Sequence, residues 1–197
     1  MNPSRTDLPR TELSHEAHDR APRLVLVGLR ASGKSTVGPL LAARLDLPFH
    51  DSDARLVANG FPPGEMIRTH GIETFRRHEA ECIAALAALP RGVIALGGGA
   101  IETDAVRTAL AGWTAIHLDA PDDELARRLR APGSSDRPAL TELPLEEEIA
   151  ALRRRRASLY SAIAPVMIDT GGKAVAAVVD EIVAALGLEG DSPSAGC

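Results

Sequence analysis

Cysteine is almost missing from this 197-residue sequence: Cys82 and Cys197 are the two, at a separation that matches no metal-ligand or redox motif. A reduced, cytosolic compartment is the expectation. Aromatic residues make up only 3% of the chain. The core must therefore come from Ala, Val, Leu and Ile, and stacking platforms for single-stranded nucleic acid are lacking. A net charge of −5 and a pI near 5.7 argue against general affinity for nucleic acid or an anionic membrane. No apolar run approaches the roughly 20 residues of a membrane-spanning helix. The first 22 residues hold no apolar block, so no secretory leader is expected. What is present is ordinary for a soluble globular chain, at 45% hydrophobic and 25% charged. The length suits one domain with a sizeable core. A small molecule is the expected partner, and a monomer the expected state.

Residues 1–22 are polar and mixed in charge, and read as a disordered extension; 189–197 read as a disordered tail. Between them, over 23–188, short apolar runs alternate with helical patterns. Strands are predicted at Leu24–Val27, Pro48–His50, Val93–Leu96, Thr114–Leu118 and Val166–Ile168. Helices are predicted at Lys34–Leu45, Gly71–Leu89, Asp122–Arg130, Leu145–Ile163 and Lys173–Leu186. Strands without alternating polarity, separated by helices, indicate an α/β fold with a parallel sheet covered on both faces. Ligands of such sheets bind at the carboxyl ends of the strands, so the residues after each strand carry the information.

After the first strand stands Gly28-Leu29-Arg30-Ala31-Ser32-Gly33-Lys34-Ser35, a G-x-x-x-x-G-K-[ST] phosphate loop between a strand and a helix. Glycines let backbone N–H groups turn toward an anion, and the helix that follows adds its positive end. With 17 Gly, two Lys and 21 Ser plus Thr, chance would produce this motif with a probability of roughly 10⁻³. Lys34 is one of only two lysines against 20 arginines, which also favours a function. Gly28, Ala31, Ser32, Gly33, Lys34, Ser35 and the adjoining Thr36 are the candidate nucleotide contacts. Lys34 can reach terminal phosphates, and the Ser35 hydroxyl can ligate Mg²⁺.

Asp51 and Asp53 follow the second strand, two residues apart. One carboxylate could hold Mg²⁺ and the other accept a proton from an attacking hydroxyl; a helix N-cap is the plainer alternative. Arg76 and Glu79, three apart on a helix with Phe75, can pair, either as a surface salt bridge or beside a pocket. Arg156 lies on the apolar stripe of Ile149, Leu152, Leu159 and Ile163, where a guanidinium needs a carboxylate or a bound anion. Arg153, Arg154 and Arg155 are expected to point mostly outward. Gly97-Gly98-Gly99 ends a strand and permits close approach of a ligand, or simply a tight turn. Asp119, at the end of another strand, reads as structural.

Taken together these residues resemble the shikimate kinases, over roughly Arg23 to Leu186. The motifs are Gly28–Ser35, Asp51-Ser52-Asp53, Phe75-Arg76-Arg77-His78-Glu79, Gly97-Gly98-Gly99, Arg137-Pro138 and Arg156-Ala157-Ser158-Leu159-Tyr160, in that order. The resemblance implies a three-layer phosphate-loop fold with a five-stranded parallel sheet. It implies ATP as co-substrate with Mg²⁺, and transfer of the γ-phosphate to the 3-hydroxyl of shikimate. Lys34, Asp53 and Arg137 would be catalytic, with Ser35 and Asp51 at the metal. Asp53, Arg76, Gly97, Gly98, Gly99 and Arg156 would hold the substrate. Arg130 would stack on adenine, and Arg137 would close over the phosphates from a lid at about 131–144. The sequence departs from the family pattern at Phe61-Pro62-Pro63-Gly64, at Gly71-Ile72-Glu73 and at Ala139, all on the substrate side. A kinase of another polyhydroxy acid, such as gluconate, is the alternative enzyme. A non-catalytic ligand sensor would need a DNA-binding domain, and no helix-turn-helix pattern precedes the first strand.

Overall fold

Leu24 to Val27 is apolar on both sides of an extended chain, and this segment becomes the centre of the sheet. The computed structural model describes residues 22–131 and 143–188. The expected N-terminal extension up to residue 21, the tail 189–197 and lid residues 132–142, including Arg137, lie outside the described residues. Five strands, β1 (Arg23–Val27), β2 (Phe49–Asp51), β3 (Gly92–Ala95), β4 (Thr114–Asp119) and β5 (Val166–Asp169), lie in the order β2-β3-β1-β4-β5. Every pairing is parallel, with Leu24 opposite Val93 on one side and Thr114 on the other. This is the expected three-layer α/β sheet.

Both faces are covered, for the reason the strand composition gave. Leu24 and Leu26 belong to a core completed by α1 (Lys34–Arg44) and α7 (Val175–Ala185). Val25 and Val27 belong to the other core, completed by α3 (Pro63–Ala87), α4 (Asp104–Ala109), α5 (Asp122–Arg130) and α6 (Leu145–Ile163). Two apolar layers on one strand are what a parallel sheet between helices requires.

Three helical stretches lie outside the predicted helices, although a cap at the start of the first was one of the two readings of the acidic pair. The first is α2 (Ser52–Ala58), which Asp51 opens by accepting hydrogen bonds from the Asp53 and Ala54 amides through its side chain. The second is the front half of α3. The helix expected to begin at Gly71 extends back to Pro63, and Gly71 marks a break in it at φ 79, ψ 164. Proline at the first helical position explains the start: its ring presets φ, and its missing N–H is one the first turn would leave unbonded. The third is α4, preceded by a 3₁₀ turn at Ala100–Glu102.

His117 of β4 stacks on Tyr160 of α6, with ring centroids 4.2 Å apart and planes 17° from parallel. Burial pushes the His117 imidazole below its ordinary pKa of 6.5; Asp119 opposes the shift, and Arg153 and Lys34 add to it. The ring is therefore neutral in the folded chain at neutral pH.

Two outcomes follow from this packing. An added Cβ at Gly38 would lie 2.2 Å from Phe49 Cε2, so α1 approaches β2 through a missing side chain. Gly38→Ala gains helix propensity yet should lose about 1–3 kcal/mol through overpacking; urea unfolding measures it, and an unchanged or higher midpoint would show that the contact imposes no constraint. His117 takes up a proton more readily unfolded than folded. Its contribution is complete above pH 6.5 and shrinks as pH falls below that value. His117→Phe keeps the stack without the titration, so its melting temperature should fall less than that of the parent between pH 7 and 5. Parallel curves would remove His117 from the acid response.

Candidate active site

The carboxyl ends of β1, β2, β3 and β5 open on one edge of the sheet, and the residues after each strand meet there. The phosphate loop departs from β1. Ala31 and Gly33 take left-handed backbone conformations, φ 62 and 101, which turn successive N–H groups inward into a cradle for an anion. Gly33 is the N-cap of α1 and carries no side chain, so the first-turn amides remain open to a ligand. Lys34 folds back over the loop, and its ammonium donates to the Gly28 carbonyl at 3.0 Å, the Leu29 carbonyl at 2.7 Å and Ser32 Oγ at 3.3 Å. Lys34 is 8% exposed, and its ammonium is held by the loop's own oxygens.

A cavity of about 420 Å³ adjoins this loop, with Lys34, Ser35, Thr36, Arg128, Thr170 and Lys173 in its wall. Arg128 fixes the loop from outside. Its guanidinium donates to the Ala31 carbonyl at 3.1 Å, to the Thr170 carbonyl at 2.7 Å and to Thr170 Oγ1 at 3.0 Å. Thr170 Oγ1 also lies 3.1 Å from the Ser32 carbonyl. Arg130, which the resemblance placed against adenine, does not line this cavity: its exposed guanidinium pairs with Glu146 of α6. Arg128 stands in the cavity wall instead, and its Nε also bonds to Glu124 four residues earlier.

Asp51 takes the N-cap role that its sequence allowed, and it also turns toward the phosphate loop. One carboxylate oxygen caps α2, and the other accepts from the Ser35 hydroxyl at 2.6 Å. Two hard oxygen ligands at the mouth of a phosphate cradle fit a magnesium ion, which takes few protein ligands and completes its shell with water and phosphate. Among the described residues no group of three or more His, Cys, Asp or Glu side chains forms a separate metal cage.

The glycine triplet is where backbone and side chains crowd most. A Cβ on Gly97 would sit 2.8 Å from Asp53 Oδ1 and 2.9 Å from Glu79 Oε1. One on Gly98 would meet the Arg30 amide of the phosphate loop at 3.3 Å. One on Gly99 would overlap Arg76 Nη2 at 2.3 Å and approach Arg156 Nη2 at 3.0 Å. The triplet is thus a floor on which two carboxylates, two guanidinium ends and the phosphate loop converge. Ser52 holds it from one side, accepting from the Gly97 amide at 2.9 Å. Tyr160 holds it from the other, donating to the Gly98 carbonyl at 3.3 Å. Burial pushes the Tyr160 phenol up to about 12, so it keeps that proton.

The arginines are ordered by carboxylates. Arg76 pairs with Glu79 at 2.5 Å, as the i, i+3 spacing predicted. Arg156 is 2% exposed and faces inward, as its stripe position predicted. Its carboxylate partner is Glu102, at 3.3 Å from Nε and 3.4 Å from Nη2. Arg153 differs from the expectation of a solvated side chain: it pairs with Asp119 and Asp122 and donates to the Ala120 carbonyl, tying α6 to the end of β4. Asp119 is accordingly structural, as read. Sequence reasoning missed Ser52, Glu102, Arg128 and Thr170. Thr170 follows a strand directly, so the strand-end rule would have found it; the partners of Glu102 lie more than 20 residues away and leave no local signal.

The chain is similar to known proteins in sequence and in fold. The family model for shikimate kinase matches residues 30–187. A shikimate kinase of Frankia casuarinae is 42% identical over 165 residues, covering 83% of this chain and 72% of that protein. One of Mycobacterium avium is 40% identical over 167 residues, covering 84% and 94%. Among solved structures, shikimate kinase from Acinetobacter baumannii in complex with shikimate superposes with a TM-score of 0.78 at 28% identity, covering 88% of this chain and 97% of that one. Shikimate kinase from Aquifex aeolicus gives 0.70 at 31%, covering 84% and 96%. A gluconokinase from Sinorhizobium meliloti, at 0.52 and 19%, shares the fold alone. With its phosphate loop, acidic pair, arginine pair and glycine floor in one cleft, and with these relatives, this chain belongs to the shikimate kinase family.

Proposed function

We propose that the chain transfers the γ-phosphoryl group of ATP to the 3-hydroxyl of shikimate, giving shikimate 3-phosphate and ADP. The observation that carries this reading is the convergence of Arg76 and Arg156 over Gly99, next to Asp53 at Gly97 and within contact of the phosphate loop at Gly98. Two guanidinium groups suit a carboxylate, and the aspartate beside them suits ring hydroxyls. The acceptor is thereby held against the phosphate cradle.

In this reading Asp53 aligns the 3-hydroxyl and takes its proton as oxygen attacks phosphorus and the bond to the β-phosphate bridging oxygen breaks. Lys34 exchanges its loop carbonyls for phosphate oxygens and neutralises charge that develops there. Ser35 and Asp51 would hold Mg²⁺, which when bound supplies charge neutralisation on the β- and γ-phosphates. Gly28, Ala31, Ser32, Gly33 and Thr36 line the cradle. Arg137 is assigned to the transferring phosphate and Arg130 to the adenine; both assignments rest on the family resemblance. Among the described residues no helix is long and apolar enough to cross a membrane; the cytoplasm is the compartment assigned from the scarcity of cysteine.

The test is turnover by the purified chain with ATP, Mg²⁺ and shikimate or gluconate, with the phosphorylated product identified. Shikimate 3-phosphate should form and phosphogluconate should not; the reverse would reassign the acceptor. Lys34→Ala should lower kcat by about 10²-fold or more without unfolding the chain. Asp53→Asn should lower kcat by ~10²-fold while the KM for ATP changes little. Equal losses in both parameters for Asp53→Asn would move Asp53 from the acceptor to the metal.

A further inference from the structure

Glu102 is a carboxylate already seated in the arginine cluster to which the acceptor's carboxylate is assigned. It ends the 3₁₀ turn after the glycine triplet, three residues beyond Gly99. Its Oε2 accepts from Arg76 Nη2 at 3.5 Å and from Arg156 Nη2 at 3.4 Å, the same two guanidinium nitrogens that crowd over Gly99. Its Oε1 lies 3.3 Å from Arg156 Nε and 2.7 Å from Arg155 Nε. The contacts are unequal in a telling way. The short one goes to Arg155, whose side chain is 69% exposed, and the long ones go to the pair that would clamp the acceptor.

We propose that Glu102 is a resident competitor for the acceptor's carboxylate, a reading that rests on the assignment of Arg76 and Arg156 to that group. A guanidinium as buried as Arg156 requires a counter-charge when no ligand is present. Glu102 supplies it and keeps both arginines aimed at the floor of the site. An incoming carboxylate takes the Arg76 and Arg156 nitrogens, and Glu102 stays on Arg155, where it already has its shortest contact. The consequence is selectivity: an uncharged analogue cannot displace Glu102, and a carboxylate binds against its competition. Apparent affinity is lowered by the fraction of time Glu102 holds the pair.

Glu102→Gln removes the competing charge and keeps the shape. Isothermal titration with shikimate should show about three- to tenfold tighter binding than the parent chain. The methyl ester of shikimate, titrated in parallel, should not gain. In turnover the change should fall on KM rather than on kcat. Should Glu102→Gln fail to fold, Glu102→Asp retains a counter-ion for Arg156, draws it back by one methylene and should tighten shikimate in the same sense. A folded variant that binds shikimate no better than the parent, or that gains equally for the ester, overturns the competition. A parent chain that binds no shikimate at all overturns the clamp assignment itself, and the inference with it.

Discussion

Parallel strands must all be left and re-entered at the same ends, and this one constraint of backbone geometry organises the whole cleft. Each strand of the β2-β3-β1-β4-β5 sheet delivers its chain to the same edge. Five segments distant in sequence therefore become neighbours: the phosphate loop after β1, Asp51 to Asp53 from the end of β2, the triplet after β3, Asp119 at the end of β4 and Thr170 after β5. The crossover helices bury both faces and leave that edge as the place where polar backbone and charged side chains reach solvent.

Charge in so confined a space has to be balanced locally, and the balance explains much of the local structure. The Lys34 ammonium is stabilised by loop carbonyls, so the loop keeps its cradle shape around a cation. Arg128 joins loop, β5 end and α5 through neutral acceptors, with Glu124 beside it as its anion; hydrogen bonds from Arg127 and then Arg128 hold the Glu124 carboxyl down at about 2, ionised at any working pH. Arg153 closes α6 onto β4 through Asp119 and Asp122. Arg76 and Arg156 are balanced beside the glycine floor, by Glu79 and Glu102.

Glycine permits this density. At Gly97 and Gly99 the absent side chain is what lets Asp53 and Arg76 lie against the backbone, at distances a Cβ would not tolerate. The same economy holds α1 against Phe49 at Gly38. A turn, a packing contact and a binding floor thus come from one property of one residue type.

The order and kind of the elements were legible in the sequence because a doubly covered strand and an amphipathic helix announce themselves by composition and period. The phosphate loop, the inward stripe position of Arg156 and the Arg76–Glu79 pair were legible for the same reason: each is a local pattern set by chain geometry over a few residues. Helix α2 was not, since it depends on one capping carboxylate more than on any long apolar period, and neither was the front of α3, which begins at a proline in a turn-like run. The cavity wall was legible least. Whether Arg128 or Arg130 faces the nucleotide cavity follows from which turn of α5 packs on Thr170, a contact 42 residues away. That Glu102 meets three arginines from two helices follows from where β3, α3 and α6 are brought by the sheet. Local sequence determines conformation through nearest neighbours and solvent; which distant charges share a low-dielectric space is decided only when the sheet has brought their elements together.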